Sequence, residues 1–98
     1  PLPMSHDSQG VARAESLIAY PSLFPIKVMG IQQDGLVEAI AAIAQEFDPD
    51  FDAARTELRA SRTGKYLGVT ITVMATSRAQ LDALYHALTQ HPLVKVVL

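Results

Sequence analysis

The chain has 98 residues, 49% hydrophobic and 18% charged, with a formal net charge of −2 and no cysteine. That length makes one domain with a modest core, and the lack of cysteine excludes thiol catalysis, disulfides and cysteine-based zinc sites. The slight acidity argues against dedication to polyanions, no apolar run reaches the ~18 residues of a membrane span, and no export signal is visible, which points to the cytoplasm.

Residues 1–10 (PLPMSHDSQG) are polar, proline-rich and aperiodic and read as a disordered tail, with Met4 as good a natural start as Pro1. Residues 11–23 read as an N-terminal extension with a weak helical turn over 11–19, and residues 24–98 as the domain. Pro21 and Pro25 push Tyr20 and Phe24 to extended backbone and stop any helix. Residues 26–30 then read as a strand, Ile26 and Val28 on one face, Lys27 and Met29 on the other. Asp34 is the expected N-cap of a first helix, whose apolar stripe is Leu36, Val37, Ile40, Ile43, Ala44 and Phe47 and which Pro49 ends.

A second strand is expected over 55–62, with Leu58 and Ala60 inward, Arg55, Glu57, Arg59 and Ser61 outward, and room for a bulge. Thr63-Gly64 makes the turn. The third strand is the clearest element: Leu67, Val69, Ile71, Val73 and Ala75 alternate with Gly68, Thr70, Thr72, Met74 and Thr76. Ser77 and Gln80 form a capping box for a second helix striped by Leu81, Leu84, Tyr85 and Leu88, which His91-Pro92 closes. A last strand over 93–98 places Val94, Val96 and Leu98 on one side. The order is βαββαβ. Right-handed crossovers put both helices on one face of a four-stranded antiparallel sheet of order 4-1-3-2, an α+β ferredoxin-like sandwich. Its expected core is Val28, Ile71, Val73, Leu84, Leu88 and Val96.

The blocks Phe24-Pro25-Ile26-Lys27-Val28-Met29-Gly30, Ser61-Arg62-Thr63-Gly64-Lys65-Tyr66, Val69 through Thr76 and Val94-Lys95-Val96-Val97-Leu98 together resemble the YbeD-like family of small bacterial proteins, over residues 17–98. The family pattern has Ser-Lys-Gly-Asn-Tyr at the hairpin, so the turn here is about one residue longer. The resemblance implies a stand-alone ferredoxin-like domain similar to the ACT regulatory domains of amino-acid metabolism, with no established activity and with genes often beside those for lipoate attachment. ACT-like domains usually work in pairs, and they contact small ligands where the first strand meets the first helix.

Several chemistries can be weighed on the residues. Gly64-Lys65 lacks the upstream glycine of a phosphate loop (Arg59 stands there) and leads into a strand, which excludes that motif. RNA recognition shares the topology, and Arg55, Arg59, Arg62 and Lys65 make the hairpin basic. The outward residues of the third strand are glycine and threonine, however, and Tyr66 alone is placed to stack a base. RNA binding through the hairpin and open sheet is therefore the runner-up. Asp48-Pro49-Asp50-Phe51-Asp52 has calcium-loop spacing, but Ala53 and Arg59 replace its glycine and glutamate, so a solvated acidic loop is expected. His86 and His91 are five apart, off the three-or-four spacing of helical metal pairs. No metal, cofactor or catalytic set is expected, and the protein reads as no enzyme.

Two sites remain. Gly30, Ile31, Gln32 and Gln33 are the candidate small-ligand residues, a glycine for close backbone approach beside free helix amides, with Asp34 opposing a carboxylate. Lys27, Met29, Arg59, Thr70, Thr72, Met74 and Lys95, with Val97, are the candidate interaction face, for another protein or a second copy. Three basic residues on it favour a different protein. The function expected is that of a small regulatory or interaction protein, an ACT-like sensor modulating a partner being one form of it.

Overall fold

The computed structural model describes residues 19–98, and the tail read over 1–10 and nearly all of the helical turn read over 11–19 lie outside them. The elements are β1 (Ser22–Ile31), α1 (Leu36–Phe47), a 3-10 turn (Ala53–Arg55), β2 (Glu57–Ala60), β3 (Tyr66–Ala75), α2 (Arg78–Thr89) and β4 (Val94–Val97). The sheet runs β2-β3-β1-β4 with every pairing antiparallel, the expected α+β architecture and strand order. No helix of the described residues is long and apolar enough to cross a membrane.

Strand β3 sets the layers. Its burial alternates without a break, Leu67, Val69, Ile71, Val73 and Ala75 buried and the residues between them half-buried. The buried set meets Ile26 and Val28 of β1, Leu36, Ile40 and Ala44 of α1, and Leu81, Leu84 and Leu88 of α2 in one core. Strand β1 begins at Ser22, four residues before the expected strand and inside the segment read as an extension. Pro25 is tolerated within this central strand. Lys27 exchanges both backbone bonds with Leu98, so Pro25, two residues earlier, turns its missing N–H to the same side, beyond the reach of β4.

Three expectations at the sheet edges are corrected. Strand β2 has four residues, all exposed, and Leu58 is 56% exposed instead of inward. Among the described residues neither helix packs closely over β2, which leaves this edge uncovered. The irregularity expected in β2 lies in β4 instead, where Met29 pairs with Val96 but Gly30 with Val94. That bulge at Lys95 reverses the parity after it. Val96 is 45% exposed and leaves the expected core, Leu98 is exposed, and Val97 packs against the core instead of joining the open face. Helix α1 is capped by Gly35 at φ 94° with no side-chain bond, so a left-handed glycine turn replaces the expected Asp34 cap.

The capping box at α2 forms in altered shape. Ser77 Oγ accepts from Gln80 N–H at 3.0 Å, while Gln80 Oε1 accepts from Thr76 N–H at 2.7 Å. Gln80 Nε2 also donates to Phe47 O and Met74 O. Asp48, expected in a solvated loop, is buried and accepts from Met74 N–H at 2.9 Å. Strand β2 stops at the partner of Thr70, so Met74 faces a vacant edge, and these two side chains supply the donor and acceptor that a longer β2 would have supplied. Only Asp50 and Asp52 of the acidic run are exposed, and Asp52 caps the 3-10 turn through Ala54 N–H.

Ile71 is fully buried, and Ile71→Ala is expected to lower stability by on the order of 2–5 kcal/mol in urea titration. Gln80→Ala strands three backbone groups and is expected to cost about 2–3 kcal/mol, more than loss of a helix cap alone.

Candidate functional site

At the β1–α1 corner three amides bond within the chain. Ile31 N–H donates to Leu93 O at 2.9 Å, Gln32 N–H to Lys65 O at 3.0 Å and Leu36 N–H to Gln33 O at 3.3 Å. Gly30 is buried, and a Cβ there would lie 2.6 Å from Leu93 O and 2.7 Å from a methyl of Leu36. Close approach at this glycine is thus made by the chain's own backbone and helix. What remains is a shallow depression of ≈ 390 Å³ over Gln32, Gln33 and Gly35, with Asp34 and Glu38 in its lining. Gly30 and Ile31 are not among its lining residues, so the structure splits the four candidate ligand residues in two.

The helix-free face is more developed. The register places Arg59, Gly68, Met29 and Val96 in one row across the sheet, and Glu57, Thr70, Lys27 and Leu98 in the next. Thr72 with Pro25, and Met74 with Leu23, continue it. The structure therefore brings together Lys27, Met29, Arg59, Thr70, Thr72 and Met74. Lys95 is exposed at the β4 bulge, outside these rows. A depression of ≈ 370 Å³ lies over Gly68 and Thr70 between Lys27 and Met29 on one side and Glu57 and Arg59 on the other. Gly68 is its floor, where a Cβ would stand 3.4 Å from Arg59 O. Leu98 is held at the margin by Lys27 N–H and by the Tyr85 hydroxyl, which donates to Leu98 O at 3.2 Å and whose pKa burial pushes above the usual range.

A family described as "Protein of unknown function (DUF493)" matches residues 15–98. The chain is 57% identical over 94 residues to a UPF0250 protein of Ralstonia nicotianae, covering 96% of this chain and 97% of that one. It is 59% identical over 90 residues to one of Leptothrix cholodnii, covering 92% and 99%. The chain belongs to the DUF493 family. This is the YbeD-like group indicated by the sequence blocks, and these relatives are bacterial. The solution structure of protein HP0495 from H. pylori matches with a TM-score of 0.68 at 17% identity, over 100% of this chain and 98% of that one. That likeness shows the fold.

Sequence reasoning missed Leu23, Val96 and Leu98 as face residues of this DUF493 chain. An earlier start to the first strand was the readable signal for Leu23; the other two follow from the bulge. The runner-up site is also altered. Tyr66 is half-buried at the sheet margin and the Lys65 ammonium lies 5.4 Å from its ring centroid, so a cation already occupies a stacking surface. His91 Nδ1 accepts from Leu93 N–H in the turn before β4. Among the described residues no three His, Asp or Glu side chains form a metal-binding group.

Gly30→Ala tests the corner. The new methyl has only backbone and the packed Leu36 to displace, so a loss of about 1–3 kcal/mol in denaturant titration is expected. Unchanged stability would mean that the glycine is kept for something other than packing.

Proposed function

We propose that this DUF493 chain is a non-catalytic interaction protein, working in the cytoplasm, that docks a protein on the helix-free face of its sheet. One observation carries this reading. Met29, Val96 and Leu98 stand 45%, 45% and 73% exposed in the same rows as Lys27, Glu57 and Arg59, around the glycine-floored depression, and Leu23, 49% exposed, lies two rows beyond Lys27 beside Met74. Large apolar side chains grouped among charges that have no ion-pair partner among the described residues have water to release and charges to match when a surface docks. Four side chains able to do chemistry are engaged in holding backbone: Asp48 at Met74 N–H, Ser61 at Tyr66 N–H, Ser77 at Gln80 N–H and His91 at Leu93 N–H. The small-ligand sensor that the ACT resemblance implies has weaker support, because three amides of the β1–α1 corner are spent internally and its depression presents two carboxylates to any anion.

The test is capture from the extract of the source bacterium on the immobilised chain, with Thr72→Arg and Gln33→Ala as paired variants and bound protein, RNA and small molecules all scored. Captured protein is expected to be lost on Thr72→Arg and retained on Gln33→Ala. Loss on Gln33→Ala alone would favour the corner, and protein held equally by both variants would overturn the reading. RNA as the bound material, released by Tyr66→Ala, would replace it with the runner-up.

A further inference from the structure

Resting on that docking reading, we propose that the occupant of the open face is a second copy of this chain, packed sheet on sheet about a two-fold axis running along β3 through Thr70. The argument is one of charge register. Glu57 pairs with Thr70, and Thr70 with Lys27. An anion and a cation therefore stand in one row on opposite sides of a central threonine, each roughly 5 Å from it at ordinary strand spacing. Both are exposed, and neither forms an ion pair with another described residue. In a two-fold interface each patch meets its own copy. An axis along β3 exchanges the two ends of the row, so Lys27 lies over Glu57 of the partner subunit and Glu57 over Lys27 of the partner subunit.

Other axes do worse. One crossing the strands through this row sets Lys27 on its own copy and Glu57 on its own copy. One along β1 again sets Lys27 on itself and leaves Glu57 beyond the partner's sheet. Like charges facing across an interface oppose association, which favours the β3 axis over these two.

The residues on that axis suit it. Gly68, Thr70 and Thr72 are small and face their own copies, so the sheets can approach closely in the aligned packing common to sandwiches. Arg59, in the row of Gly68 and Met29, lays its stem over Met29 of the partner subunit with its head at the rim. Strand β4 overhangs beyond the reach of the partner's β2, which leaves Lys95, Val96 and Leu98 outside the contact. The excess of basic residues that counted against a second copy is thereby reduced to Arg59 at a solvated edge. Strands β1 and β3 continue past this region, but β2 fills only the two rows of Glu57 and Arg59, a small contact that makes the dimer weak and dependent on concentration.

Sedimentation of the full chain across a concentration series, at low and high salt, reads the proposal. The wild type is expected to dimerise weakly, less so at high salt. Lys27→Glu and Glu57→Lys are each expected to raise the dissociation constant by about tenfold or more, and the double exchange K27E/E57K to recover most of the loss. Recovery also shows that neither single variant failed merely by misfolding. A monomer at every concentration overturns the second copy as occupant and leaves the capture experiment to judge the face. A dimer abolished by Thr72→Arg but not recovered by the double exchange overturns the axis alone. A dimer untouched by Thr72→Arg lies elsewhere and overturns both the axis and the docking face.

Discussion

Both helices of this chain pack in one core against the same side of one four-stranded sheet, the arrangement that right-handed crossovers produce. Most of what the molecule offers follows from that one-sided cover. The buried residues of β3 and β1 have α1 and α2 to pack against, and the alternate residues have nothing. A sheet with one bare face can carry threonine, glycine and methionine there only if water or another surface completes it. The chain mixes these with charges that find no partner within the described residues, an arrangement suited to an exposed face that also docks.

The same economy appears where strands are too short. Strand β2 ends opposite Thr70, leaving the far half of β3 without a neighbour. The Asp48 carboxylate and the Gln80 amide take up the N–H and the C=O of Met74 there, and Gln80 also ties the end of α1 to the start of α2. At the other end of the sheet Gly30 lets Leu36 of α1 and the Leu93 carbonyl close onto β1. Features with the look of ligand chemistry, a buried carboxylate and a glycine beside a helix start, thus serve to close a small core. The bare face is where chemistry is left over.

The elements and their order were legible because β3 alternates over its whole length and the two helical stripes need a common partner. Legibility failed where a residue's setting depends on something distant. Leu58 fits the pleat of a strand, but only the reach of the helices decides whether its inner side is covered. Val94-Lys95-Val96-Val97 contains no alternation to reveal a bulge, so the exchange of Val96 and Val97 could not be read. Asp48 looks like one acid of a solvated run, and its partner Met74 lies 26 residues away. For the face itself, parity within strands sufficed to find Lys27, Met29, Arg59, Thr70, Thr72 and Met74. The alignment of Glu57 with Lys27 across Thr70 is a matter of register between strands, which local sequence does not encode.

The central claim is that the bare sheet face docks a second copy of the chain, and its methionines report on it directly. The chain has three, Met4, Met29 and Met74, and the last two lie on that face. With methionine methyls isotope-labelled, their exposure to a soluble paramagnetic agent can be followed by NMR from dilute to concentrated solution. The account predicts that the Met29 and Met74 methyls become shielded together as concentration rises. Methyl signals of Met29 and Met74 that stay fully accessible while the chain associates would contradict it.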